Sequence, residues 1–244
     1  MRDASLNLRE RLLRHAAALM VLVCAVAGCG GAPQSEPRAP RSQFDAPAGD
    51  VAAVGTELEI PAEAPVVLFM GDSIGAGLHL AAHQAFPALL QRRLFEDGLP
   101  FHLVNASESG RTSAGGASAI AWSLRREPNV VVIELGGNDG LRNIPLADVE
   151  ANLAAMIEAA QASGAKVLLL GVRMPPNYGE YGAEFDAMYP RLVERFDLAF
   201  VPFFMDGVGG VPSLNLPDGL HPTAAGHEKL ADNVESALRA LLER

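Results

Sequence analysis

The stretch Val66-Val67-Leu68-Phe69-Met70-Gly71-Asp72-Ser73-Ile74-Gly75-Ala76-Gly77 decides how the rest of the chain is read. Val66 to Met70 is an unbroken apolar run with two β-branched members, and such a run reads as a buried strand. It stops at Gly71, and Asp72 and Ser73 follow. Open α/β sheets place their chemistry at the carboxyl ends of strands, which makes Ser73 a candidate nucleophile. Gly75 and Gly77 keep bulk away, which predicts close approach of a substrate to this backbone. Taken alone, the stretch reads equally well as a strand, a Gly-rich turn and a serine N-cap. The rest of the chain decides between the two.

Toward the amino terminus the pattern changes. Ala16 to Val26 is continuously apolar and follows Arg2, Arg9, Arg11 and Arg14. This is the layout of an export signal, too short to span a bilayer comfortably. It ends in Val26-Ala27-Gly28-Cys29, which resembles a bacterial lipobox and predicts Cys29 as the first mature residue, carrying lipid. An ordinary secretory signal that happens to contain Cys29 is the alternative. Residues 30–55 are rich in Pro, Ala, Gly and Ser without a period, as in a flexible tether. The expected organisation is therefore a leader over 1–28, a tether over 29–60 and one domain over 61–244.

Composition narrows the function. The 244 residues are 49% hydrophobic, enough for one ordinary core plus an extra segment. Removing residues 1–28 leaves 15 basic and 27 acidic residues, a net charge of −12. An acidic surface is a poor partner for phosphate backbones, and aromatics at 6% suggest no stacking platform for bases, so nucleic acid is excluded. Cys24 lies inside the leader, so Cys29 is the single mature cysteine and no internal disulfide can form.

Toward the carboxyl terminus, strand and helix patterns alternate. Helical spacing is read over 85–97, 115–126, 146–162, 183–196 and 223–242. Further strands are read at Leu103-Val104, 130–135, 167–170 and 199–203. This alternation predicts parallel βαβ units in a three-layer α/β/α sandwich with a five-stranded sheet. The flavodoxin-like order 2-1-3-4-5 suits that count.

The strand ends then deliver a coherent set: Gly71-Asp72-Ser73, Asn105 to Gly110, Gly136-Gly137-Asn138-Asp139 and Asp218-Gly219-Leu220-His221-Pro222. A serine hydroxyl needs a base, and His221 can serve, since an imidazole titrates near neutrality. Asp218 lies three residues before His221 and can orient its ring. The N–H groups of Ser73 and Gly110 and the Asn138 amide can meet an oxyanion, and a side chain at position 110 would crowd the carbonyl.

These blocks resemble those of the SGNH hydrolases, also called the GDSL family, from about Val66 to the carboxyl terminus. The closer likeness is to the bacterial multifunctional esterases: thioesterase I, lysophospholipase L1 and arylesterase. Glu134 to Arg142, Pro175 to Gly179 and Pro202 to Met205 add to it. The resemblance implies Ser73 as nucleophile, His221 as base, Asp218 as its partner, and Gly110 and Asn138 in the oxyanion hole. It implies no metal or cofactor and a small acyl ester or thioester as substrate. The lipobox sets this chain apart from soluble periplasmic relatives. It predicts a monomer held by its lipid in a bacterial cell envelope, facing the periplasm or exterior.

Two alternatives remain at this point: a carbohydrate O-deacetylase of the same superfamily, and a non-enzymic lipoprotein that holds an anionic ligand at the strand ends. Other expectations are more local. His79 and His83 are spaced for one helix face but lack a third metal ligand, which predicts a solvated helix. Glu134 lies inside the strongest strand, where a buried acid needs a partner, so a structural hydrogen bond is expected for it. Asp139 is expected to brace its loop. Leu141, Ile144, Met174, Tyr178, Phe204 and Met205 either line an acyl groove or pack in the core.

Overall fold

The computed structural model describes residues 58–243. The leader, Cys29 and nearly all of the tether lie outside them. Five strands, β1 (Val66–Gly71), β2 (His102–Asn105), β3 (Val130–Glu134), β4 (Lys166–Leu170) and β5 (Ala199–Val201), form one sheet in the order β2-β1-β3-β4-β5. Every pairing is parallel. The strands are apolar on both faces because helices cover both, and all five side chains of β3 are buried.

Among the described residues, six α-helices connect and flank the strands: α1 (Phe86–Glu96), α2 (Ser113–Ser123), α3 (Gly137–Leu141), α4 (Leu146–Ala162), α5 (Gly179–Phe196) and α6 (Ala224–Leu242). α1 packs on α6 on one side of the sheet, and α4 packs between α2 and α5 on the other. α6 buries Leu230, Val234, Leu238 and Leu241, a stripe at helical spacing that faces the sheet. Thr112 and Thr223 start α2 and α6 by accepting the N–H of Gly115 and Gly226.

Several boundaries differ from the sequence reading. α2 starts at Ser113 rather than Gly115, because Thr112 caps it, and residues 124–126 tighten into a 3-10 turn. α5 starts at Gly179, four residues before the expected Ala183, with Gly182 packed beneath Tyr178 and Met174. β5 stops at Val201, since Pro202 has no N–H to continue a ladder. α3 was not expected, because Gly136-Gly137-Asn138-Asp139 has the composition of a turn. Among the described residues no helix is long and apolar enough to cross a membrane.

Candidate active site

The strand order reverses between β1 and β3, so the crevice outside their carboxyl ends is the switch point of the sheet. Ser73 follows β1 there, and Asn138 sits in the first turn of α3 just after β3. In the β1–β3 register, Gly71 lies opposite Glu134.

The turn after β1 is built on Asp72, not on a serine cap. Asp72 Oδ1 accepts the Ile74 N–H at 2.9 Å, and the Asp72 and Ser73 carbonyls accept Ala76 N and Leu78 N, each at 3.0 Å. Ser73 Oγ is therefore left for another partner. It lies 2.9 Å from His221 Nε2, across 148 residues of sequence.

His221 is held by a closed loop. Asn215 and Pro222 form an antiparallel bridge, while Leu216 N donates to the His221 carbonyl at 2.7 Å and Thr223 N to that of Leu214 at 2.9 Å. Inside the loop, Asp218 Oδ2 meets His221 Nδ1 at 2.7 Å. Asp218 Oδ1 accepts the N–H groups of His221 at 3.0 Å and Leu220 at 2.9 Å. These donors, the His221 N–H foremost, hold the Asp218 carboxyl well below the usual carboxylate range. A carboxylate at Nδ1 keeps the ring proton there and leaves Nε2 free to accept the Ser73 O–H.

The other expected residues lie on the same edge. Asn138 Nδ2 donates to Asp72 Oδ2 at 3.1 Å, tying the loop after β3 to the residue next to Ser73. Arg142 Nη2 spans Asn138 Oδ1 at 3.4 Å and the Gly110 carbonyl at 3.5 Å, bringing in the loop after β2. Among the described residues, the N–H groups of Ser73 and Gly110 donate to no protein acceptor. A Cβ at Gly110 would meet no protein atom, and its φ of +80° favours glycine there. One glycine expectation is corrected. A Cβ at Gly75 would sit 2.5 Å from Ser107 Oγ and 2.9 Å from Glu134 Oε2, so Gly75 serves internal packing rather than substrate approach.

Glu134 is 2% exposed, and its Oε2 accepts the N–H groups of Asp72 at 3.2 Å and Gly75 at 3.1 Å. It thus makes the expected structural hydrogen bonds, and they fasten the turn that bears Ser73. Asp139 braces its loop by accepting Ser113 N at 2.8 Å and Ser113 Oγ at 2.7 Å.

His79 and His83 do not share a helix. His79 adopts φ +67° in a turn and His83 lies in a 3-10 turn. The exposed His79 ring stands edge-on to His221 with centroids 6.5 Å apart. Of the six apolar loop residues, Phe204 is wholly in the core, and Ile144, Met174 and Met205 pack against it. Tyr178 packs against Tyr181. Leu141 remains open beside Asn138, as does Leu220 beside His221.

Sequence reasoning gave no role to Asp72 or Arg142. Asp72 was legible as a short acceptor two residues before an N–H in a turn, whereas Arg142 depends on tertiary placement.

Residues 69–229 match the GDSL-like lipase/acylhydrolase family, a span that contains Ser73, Gly110, Asn138, Asp218 and His221. Esterase TesA of Pseudomonas aeruginosa is 48% identical over 183 residues, 74% of this chain and 91% of the relative. Thioesterase 1/protease 1/lysophospholipase L1 of Escherichia coli K12 is 37% identical over 183 residues, 74% of this chain and 86% of the relative. The crystal structure of a psychrotrophic esterase EstA from Pseudoalteromonas, inhibited by monoethylphosphonate, shares the fold with a TM-score of 0.70 at 31% identity, covering 74% of this chain and all of that one. With this match over most of the described residues, the chain belongs to the GDSL-like lipase/acylhydrolase family.

Proposed function

We propose that this protein is a serine esterase that hydrolyses acyl esters and thioesters through Ser73, His221 and Asp218, with an oxyanion hole made by Ser73 N, Gly110 N and Asn138 Nδ2. The observation that carries the reading is the unbroken hydrogen-bonded chain from Ser73 Oγ to His221 Nε2 at 2.9 Å and from His221 Nδ1 to Asp218 Oδ2 at 2.7 Å. A non-enzymic ligand holder has no use for it. The names esterase and thioesterase borne by the relatives support the same chemistry.

The steps follow from the geometry. Ser73 Oγ bonds to the acyl carbon as its proton passes to His221 Nε2. The carbonyl oxygen gains the electron pair and is met by the three donors. Collapse expels the alkoxide or thiolate, which takes the proton from His221. Water, deprotonated by His221 in turn, then releases the acid and restores Ser73.

Ser73→Ala should abolish labelling by a fluorophosphonate and hydrolysis of p-nitrophenyl esters. Persistent turnover in that variant would overturn the assignment. A panel from p-nitrophenyl acetate to palmitate separates a short-acyl deacetylase from a long-acyl esterase.

We also infer attachment to the cell envelope through a lipid on Cys29. The apolar run and the Val26-Ala27-Gly28-Cys29 sequence support this reading.

A further inference from the structure

Beneath the turn that bears Ser73, two acidic side chains meet in the interior. Asp72 is 4% exposed and Glu134 is 2% exposed, and the two are neighbours, with the Asp72 backbone N–H donating to Glu134 Oε2 at 3.2 Å. No cation lies among their hydrogen-bond partners. Two ionised carboxylates in contact away from water repel strongly, so the pair shares one proton.

The surrounding donors indicate which group keeps it. Asp72 is satisfied as an acceptor at both oxygens, by Ile74 N at 2.9 Å and by the Asn138 amide at 3.1 Å. Glu134 takes two backbone N–H groups on Oε2 alone, at 3.2 and 3.1 Å, which leaves its other oxygen without a protein donor and able to carry a proton. Burial, followed by the charge on Asp72, pushes the Glu134 carboxyl well above the usual range.

We propose that Glu134 is a neutral carboxylic acid that donates to Asp72, and that Asp72, so fixed, orients the Asn138 amide toward the oxyanion. This rests on the oxyanion role given to Asn138 above. An amide nitrogen has two hydrogens. One goes to Asp72 Oδ2, which leaves the other for the oxyanion. Arg142 at Asn138 Oδ1 prevents the amide from flipping. Neutrality at Glu134 matters for charge as well, because a second carboxylate beneath the hole would add to the repulsion of the developing oxyanion. Glu134 touches no reacting atom and is a positioning residue.

The test compares Glu134→Ala, Glu134→Gln and Asn138→Ala with the wild type in hydrolysis of p-nitrophenyl butyrate. Glutamine keeps a carbonyl acceptor for the two N–H groups and an N–H donor for Asp72. Glu134→Gln should therefore retain kcat within about threefold of wild type. Glu134→Ala should lose at least about tenfold in kcat with KM unchanged, less than the about 10²–10³ expected for removing the oxyanion donor itself. Infrared difference spectra at neutral pH should show the carbonyl stretch of one protonated carboxyl in the wild type that is absent from Glu134→Gln. If Asn138→Ala hydrolyses as fast as wild type, the oxyanion reading fails and this inference with it. If Asn138→Ala collapses while a folded Glu134→Ala stays within twofold, only the inference fails. It also fails if Glu134→Gln falls as far as Glu134→Ala, if the band is missing from the wild type, or if the band persists in Glu134→Gln and so belongs to Asp72. Should Glu134→Ala not fold, the glutamine variant and the spectrum decide alone.

Discussion

His227 Nδ1 accepts the backbone N–H of Phe86 at 3.1 Å, so a side chain of α6 caps the amino end of α1. The ring is buried, stacked on Phe86 at 18°, and must be neutral at Nδ1 to accept. Burial lowers its pKa to about 4. The unfolded chain has the ordinary value of about 6.5, so it binds a proton that the folded state refuses. The contribution of His227 is complete above pH 6.5 and is lost as pH falls from there toward 4. At pH 5 the loss relative to pH 7 amounts to about 2 kcal/mol at ~1.4 kcal/mol per unit. Urea unfolding of wild type and His227→Gln at both pH values should show a shallower acid loss in the variant. Equal slopes would mean that another group governs it.

Asp218→Asn should cut kcat by about 10⁴ without altering the melting temperature, as expected when an imidazole is left in the wrong tautomer. The carboxylate accepts His221 Nδ1–H at 2.7 Å, whereas an amide can present its own hydrogens there. Turnover like that of the wild type would reduce Asp218 to a turn former, held by Leu220 N and His221 N.

Asn138→Ala should lower kcat by about 10²–10³, with KM and melting temperature near normal, because the oxyanion carries full charge only in the transition state. Asn138→Asp should be worse, since a carboxylate repels the oxyanion and also faces Asp72. Steady-state kinetics on purified variants check both, and a loss confined to KM would contradict the assignment.

Gly75→Ala tests the corrected role of that residue. The added methyl must displace Ser107 and Glu134, at a cost of about 1–3 kcal/mol in stability. Denaturant titration should show this loss. A change in KM with no loss of stability would restore substrate approach as the reason for the glycine.

Cys29→Ser should release the protein from the membrane fraction or block its processing, as expected if lipid on that residue provides the anchor. Mass spectrometry of the native amino terminus checks it directly, and an unmodified terminus beyond residue 29 would end the proposal.

Much of the fold was legible because its sheet is buried on both faces. The runs ending at Met70, Ile133 and Leu170 need no partner to be recognised as strands. The sheet order was legible for the same reason, since parallel strands need crossovers. Ser73, Asn138, Asp218 and His221 were legible as candidates because each follows a strand or closes a loop of marked composition, and the structure brings them to one edge. Asp72 escaped because its partners, Asn138 and Glu134, are 66 and 62 residues away. α3 escaped because its residues prefer turns locally and become helical only where Asp139 is fastened to Ser113.

The distance along the chain between Ser73 and His221 has a consequence in time. Synthesis proceeds from the amino terminus, and domains begin to fold in that direction. A chain that ends before Asp218 can carry Ser73, the loop after β2 and the Asn138 amide, but not the His221 proposed as base. On the proposed assignment, Ser73 gains its base only when the loop bridged by Asn215 and Pro222 closes. Hydrolytic power would then arrive with the last segment of the chain, and activity would report that the molecule has been finished.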